Sequence, residues 1–221
     1  MIIQSGLWGV ILTLTAYPYF LSLVEFLRVR LGNDYGEDRV TFTIISNGIH
    51  LLSYVVINGS FGLFDYLNLF QEYKLSRKPF MIPSGKLISS TIFHAALSQL
   101  LINPVATYYA YPMFRRLGLG NMTDPLPSIW TIFGIYVFCD FFNGAGFYIA
   151  HRSLHSKWIY AYIHKQHHEY SGTIGITAEY ANPIEQILAN LIPTLGGVIL
   201  YGTHPIVFCV WLVSYYMIST N

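Results

Sequence analysis

The sequence predicts an all-α integral membrane helical bundle of about four spans plus a C-terminal helical hairpin, and three observations carry that prediction. Of the 221 residues, 53% are hydrophobic and only 10% are charged, against about 25% charged in an ordinary soluble domain. The apolar residues gather into charge-poor runs of about 20 residues, the length a helix needs to cross the hydrocarbon core. All 12 lysines and arginines fall in the connectors between those runs. The mean hydropathy of +0.44 agrees.

The same composition excludes other classes. Disorder needs low hydrophobicity and many charges. Nucleic-acid binding needs a basic field, and the net charge here is +1. Cys139 and Cys209 both lie in apolar runs and form neither a disulfide framework nor a zinc-finger spacing.

The first run, Met1 to Val24, contains Pro18 as an expected kink and has no basic residue ahead of it, which argues against a cleaved signal peptide. Val40 to Phe64 is the second run and Leu87 to Phe114 the third. The fourth, about Pro127 to Ala150, contains one acid, Asp140. The last run, Gln186 to Asn221, is interrupted by Gly202, Thr203, His204 and Pro205. Each half is about 16 residues, roughly 24 Å of helix at 1.5 Å per residue, short of a core of about 30 Å. Residues 186–219 therefore read as a hairpin that dips in and returns to the same face, with two thin tilted spans as the alternative.

The polar connectors are 28–39, 71–86, 115–126 and 151–185. Placing 71–86 and 151–185 on the cytosolic side puts seven basic residues there against five, in the direction of the positive-inside rule. The sequon Asn121-Met122-Thr123 then lies on the lumenal side, close to the membrane. Two regions are expected: an N-terminal transmembrane part over 1–86 and a second domain over 87–221.

The chemistry is concentrated after the fourth run. An even spread of eight histidines would put fewer than one in any 18 residues, yet 151–168 hold five. His151 and His155 are at i and i+4, neighbours on one helix face. His164, His167 and His168 form an i, i+3, i+4 set that converges in the same way. Imidazole suits iron, zinc, copper and nickel, so spacing alone leaves the metal open. Polar groups at a membrane boundary usually serve a function. A polar interfacial loop rich in histidine is the plainer alternative.

These residues resemble a known family. Phe147-Tyr148-Ile149-Ala150-His151-Arg152-Ser153-Leu154-His155 is similar to the first histidine box of the fatty acid hydroxylase / sterol desaturase superfamily. Trp158-Ile159-Tyr160 with Ile163-His164-Lys165-Gln166-His167-His168-Glu169-Tyr170 is similar to the second. Ala178-Glu179-Tyr180-Ala181-Asn182-Pro183-Ile184-Glu185 resembles the stretch that follows. Within the superfamily, the C-4 methylsterol oxidases and fatty-acid-hydroxylase-domain-containing proteins look most alike. The likeness is dense over 147–187, looser over about 88–221, and merely hydrophobic before that.

The resemblance implies a multi-pass endoplasmic-reticulum enzyme with a cytosolic histidine-rich metal cap. Its non-haem di-iron centre would be held by His151, His155, His164, His167 and His168. It implies O2 chemistry on an unactivated C–H bond of a lipid, a sterol or a fatty acyl chain, with electrons from NAD(P)H through cytochrome b5 and its reductase. Zinc has no redox chemistry of this kind. The sequence departs from the family in three ways. The family's third HxxHH cluster has no counterpart up to Asn221, and five imidazoles do not fill the coordination of two irons. The expectation is half a site, either a fragment of a hydroxylase or a non-catalytic scaffold or paralogue. Asn182 stands where the family has histidine, and Gly144 where it tends to have an acid. Asp140, one turn further away, is expected either to orient a ligand histidine or to be a buried polar residue.

His50 and His94 read as histidines bonded within the bundle, Gln99 and Asn103 as helix-to-helix contacts, and His204 as a turn residue. Glu169, Glu179 and Glu185 flank the boxes as supporting carboxylates. Tyr148, Trp158, Tyr160 and Tyr170 read as interfacial anchors. A metal transporter would need ligands within the spans, where only His50 and His94 qualify.

Overall fold

A computed structural model describes residues 2–31, 38–74, 78–172 and 174–219. Residues 32–37 and 75–77 of the first two connectors, 173 of the last, Met1 and the final two residues lie outside these. The described elements are helical, with no strand among the described residues. In order they are α1 (Ile2–Leu31), α2 (Arg39–Tyr66), α3 (Gly85–Leu97), α4 (Asn103–Arg116), α5 (Ile129–Leu154), α6 (Pro183–Glu185), α7 (Ile192–Tyr201) and α8 (Pro205–Ser219). Single π-helical stretches at Ser98–Ile102 and Gln186–Leu191 join α3 to α4 and α6 to α7.

Local chemistry sets the ends. Ser84 and Ser128 accept the amide protons of Leu87 and Thr131, capping α3 and α5, as hydroxyl side chains do at helix starts. α1 continues through Pro18. α7 stops at Gly202, whose φ of +74° is the left-handed conformation glycine adopts without strain. His204 then starts α8: its Nδ1 accepts from the Ile206 amide at 3.1 Å, and its Nε2 donates to the Asp124 carbonyl at 3.0 Å. It is the turn residue expected.

Those contacts change the reading of the hairpin. Gly120 N donates to Thr203 O at 3.0 Å, and a side chain on Gly202 would meet the Gly118 backbone. The hairpin tip therefore meets the loop that leads into α5, at the end of the bundle opposite the histidines. It does not stop partway. Four helices are long and apolar enough to cross a membrane: Gln4–Arg30, Arg39–Tyr66, Ile129–Leu154 and Pro183–Tyr201. The number four matches expectation, but the membership differs. The run 87–114 is helical, yet Ser98, Gln99, Asn103, Thr107 and three tyrosines dilute it, and Pro183–Tyr201 takes its place.

Close backbone approach holds the bundle together, as is usual where lipid supplies no hydrophobic drive between helices. A Cβ on Gly197 of α7 would sit 3.0 Å from Cys139 Cα of α5, and one on Gly9 of α1 would strike the Tyr136 ring. Phe20, Phe42, Tyr111, Phe114, Tyr136, Phe208 and Trp211 fill one shared core drawn from both halves of the chain. Trp211 Nε1 donates to Thr194 O at 2.7 Å. Leu7, Trp8 and Leu14 of α1 and Leu52, Val55 and Val56 of α2 point outward, an apolar belt suited to lipid.

Candidate metal centre

His151 and His155 sit on the last turn of α5 and at its C-cap. The chain then reverses: the amides of Ile159 and Tyr160 both donate to Ser156 O. A π turn over Tyr160–His164 aims His164 back at α5, and a short 3-10 turn over His167–Glu169 places His168 beside it. Single π turns of this kind often mark functional positions.

The rings converge on their Nε2 atoms. His155 Nε2 lies 3.2 Å from both His151 Nε2 and His164 Nε2, and His168 Nε2 lies 3.0 Å from His164 Nε2. One ligand atom from each of these four residues falls within 4.8 Å of all the others. At metal–nitrogen bonds of about 2.1 Å, ligands at right angles sit about 3.0 Å apart and tetrahedral ones about 3.4 Å. The observed spacings fit adjacent corners around one ion.

Glu185 completes the geometry. Its Oε1 accepts from His164 Nδ1 at 2.7 Å, both side chains being buried. A proton held on Nδ1 leaves the Nε2 lone pair free for a metal, the carboxylate–histidine arrangement that orients metal ligands. Burial, with the neighbouring imidazoles second, pushes His164 down to about 4. Burial also lowers His167 and His168. Lowering of this kind favours the neutral imidazole, the form that ligates.

The fifth histidine stands aside. The His167 ring stacks on His164 with centroids 5.6 Å apart and is 6.4 Å from His151. It hydrogen-bonds the Tyr180 backbone and faces a cavity of about 1460 Å³ that also reaches His151. The structure therefore brings together four of the five expected residues and leaves His167 beside them.

Other expectations resolve individually. Asn182 caps the helix at Pro183, its Oδ1 accepting from Ile184 N at 2.9 Å; it is not in the histidine group. Asp140 accepts from Ser5 Oγ and touches no histidine through that bond. Glu169 accepts from the Tyr180 hydroxyl at 2.9 Å. His94 bonds Ser90 O within its own helix, at 2.8 Å. Gln99 does bridge helices. Its partners, His50 and Glu179, form a group that sequence reasoning did not assemble. The available signal was three polar residues stranded in or beside apolar runs.

The model of the family described as fatty acid hydroxylase matches residues 136–221. Among curated proteins, the chain is 35% identical over 156 residues to the very-long-chain aldehyde decarbonylase GL1-8 of Oryza sativa subsp. indica, covering 68% of this chain and 54% of that one. It is 30% identical over 173 residues to the fatty acid hydroxylase ahd1 of Mycosarcoma maydis, covering 76% and 44%. It is 31% identical over 202 residues to a Dictyostelium discoideum protein provisionally described as a methylsterol monooxygenase, covering 88% and 68%. The chain spans about half the length of the first of these relatives. No solved structure matches. The histidine boxes at the end of α5, the all-helical membrane-type bundle and these alignments agree: the chain belongs to the fatty acid hydroxylase family.

Proposed function

We propose that this chain carries the metal-holding core of a membrane-bound non-haem iron oxygenase that oxidises a C–H bond of a lipid, in methylsterol oxidation or a related fatty-acyl hydroxylation. The observation that carries the proposal is the meeting of four histidine Nε2 atoms beside a large, mostly apolar cavity. His151, His155, His164 and His168 would hold one iron, and His167, facing the same cavity, would serve the second ion of a di-iron centre. Iron bound there would supply the O2 activation that the side chains lack.

The chain's own residues do the rest. Glu185 fixes the His164 tautomer and ring plane. Phe147 and Gly144 line the cavity next to His151, leaving room for an apolar chain to approach the rings. His155 and His168 are exposed, and electrons from cytochrome b5 and its NAD(P)H reductase would enter there. An endoplasmic-reticulum membrane, with the histidines cytosolic, fits that supply.

Elemental analysis of detergent-purified protein tests the reading. Iron should copurify, His164→Ala should remove most of it, and His167→Ala should remove only part. Iron content unchanged in His164→Ala overturns the ligand assignment. The sterol profile of a methylsterol-oxidase-deficient strain expressing this protein then tests the substrate.

A further inference from the structure

The cavity has a second polar centre, set among apolar side chains within the bundle. His50 lies near the middle of α2, and its Nδ1 donates to Gln99 Oε1 at 2.9 Å, so its Nε2 keeps the lone pair. Gln99 Nε2 donates to Glu179 Oε1 at 3.2 Å, and Gln186 Nε2 to Glu179 Oε2 at 3.4 Å. Asn190 Nδ2 donates to Gln186 Oε1 at 2.7 Å. His50, Glu179, Gln186 and Asn190 line the cavity, while Gln99 is buried behind them.

Ionisable and amide side chains at such a depth are expensive unless they serve a site. The group is incomplete in one place. His50 Nε2 and Glu179 Oε1 stand 3.8 Å apart, beyond hydrogen-bond reach. One hydroxyl oxygen about 2.8 Å from each would span that gap. Burial raises the Glu179 carboxyl to about 7, so a protonated Glu179 is available to donate to such an oxygen, whose own proton then goes to His50 Nε2.

Charge narrows the ligand. Among the described residues lining the cavity, Lys74 is the one Lys or Arg side chain. It is paired at 2.6 Å with Asp65, and both are well exposed. An anionic head would enter a cavity whose one cationic side chain is already paired with a carboxylate. Hydrocarbon would leave the His50–Glu179 gap unfilled.

We propose that His50 and Glu179, positioned by Gln99, form an anchor for an uncharged hydroxyl group of the lipid that enters the cavity. The inference rests on the reading of the cavity as a lipid site, and it names the class of lipid as an alcohol.

The test is equilibrium binding of tritiated octadecan-1-ol to the purified full chain in nanodiscs, with octadecane, stearate, cholestanol and cholestane as competitors. Each alcohol is expected to compete about tenfold better than its own hydrocarbon, the gain of a buried hydrogen-bonded hydroxyl, and octadecan-1-ol better than stearate. The stronger of the two alcohols identifies the lipid as acyclic or sterol-like. His50→Phe and Gln99→Met should each erase the preference. Equal competition by alcohol and hydrocarbon in the wild-type protein overturns the anchor and needs no variant to fold. A preference unchanged in both variants overturns it too, the gap then being a site for water. Iron measured on the same samples separates the two proposals. Iron without alcohol preference refutes the anchor alone, and alcohol preference without iron refutes the oxygenase reading alone.

Discussion

His164 and Glu185, 21 residues apart in sequence, meet in the protein interior with Nδ1 and Oε1 2.7 Å apart. One partner comes from a π turn after α5 and the other from the single turn α6 that Asn182 caps. The pair turns a flexible imidazole into an oriented donor. It also makes Asn182 a structural contributor to the site, through the helix start it secures and not through ligation.

Removing the carboxylate should therefore weaken metal retention while leaving the four rings in place. Glu185→Gln is expected to lower iron affinity by about 10–100-fold, the usual effect of losing a partner of this kind. Competition with a chromophoric chelator measures it. An affinity equal to wild type would mean that the rings are held by packing alone.

The metal-free protein should respond to acid in a specific window. The folded chain holds His164 neutral down to about 4, whereas the unfolded chain protonates it near 6.5. Between those values the unfolded state binds the additional proton, so this residue's contribution makes stability rise with pH. In thermal unfolding of the metal-free protein, His164→Gln should flatten the slope between about 4 and 6.5.

Glu179 predicts the opposite slope. Its carboxyl titrates near 7 when folded and near 4.5 when unfolded. The folded state thus holds more protons between those values, and stability falls as pH rises through them. Glu179→Gln should lose this fall. The wild-type minus variant difference separates it from the titratable groups that interact with it, His50, Tyr54 and Tyr216.

The close backbone approach of α7 to α5 is a further test. Gly197→Leu would drive its Cβ to 3.0 Å from Cys139 Cα and 3.2 Å from its sulfur. Backbone does not yield as a side-chain tip does, so a loss of about 1–3 kcal/mol is expected. A lowered melting temperature in detergent, with a smaller drop for Gly197→Ala, is the result to look for.

The helices, the membrane setting and the two histidine boxes were all legible in the amino-acid order, because hydropathy runs and i, i+4 spacing are local properties. His151 and His155 are one turn apart at the end of α5, and their shared face follows from that alone; His164 and His168 have the same spacing, but a π turn and a 3-10 turn bring them together. Tertiary structure decided the rest. Whether His167 joins the cluster depends on how a π turn phases the rings. Whether the 202–205 hairpin stops short or reaches the loop before α5 depends on contacts with Gly118 and Gly120. The union of His50, Gln99, Glu179 and Gln186 spans more than half the chain. No periodicity records such a meeting, because it is chain packing in three dimensions that brings those side chains within hydrogen-bond range.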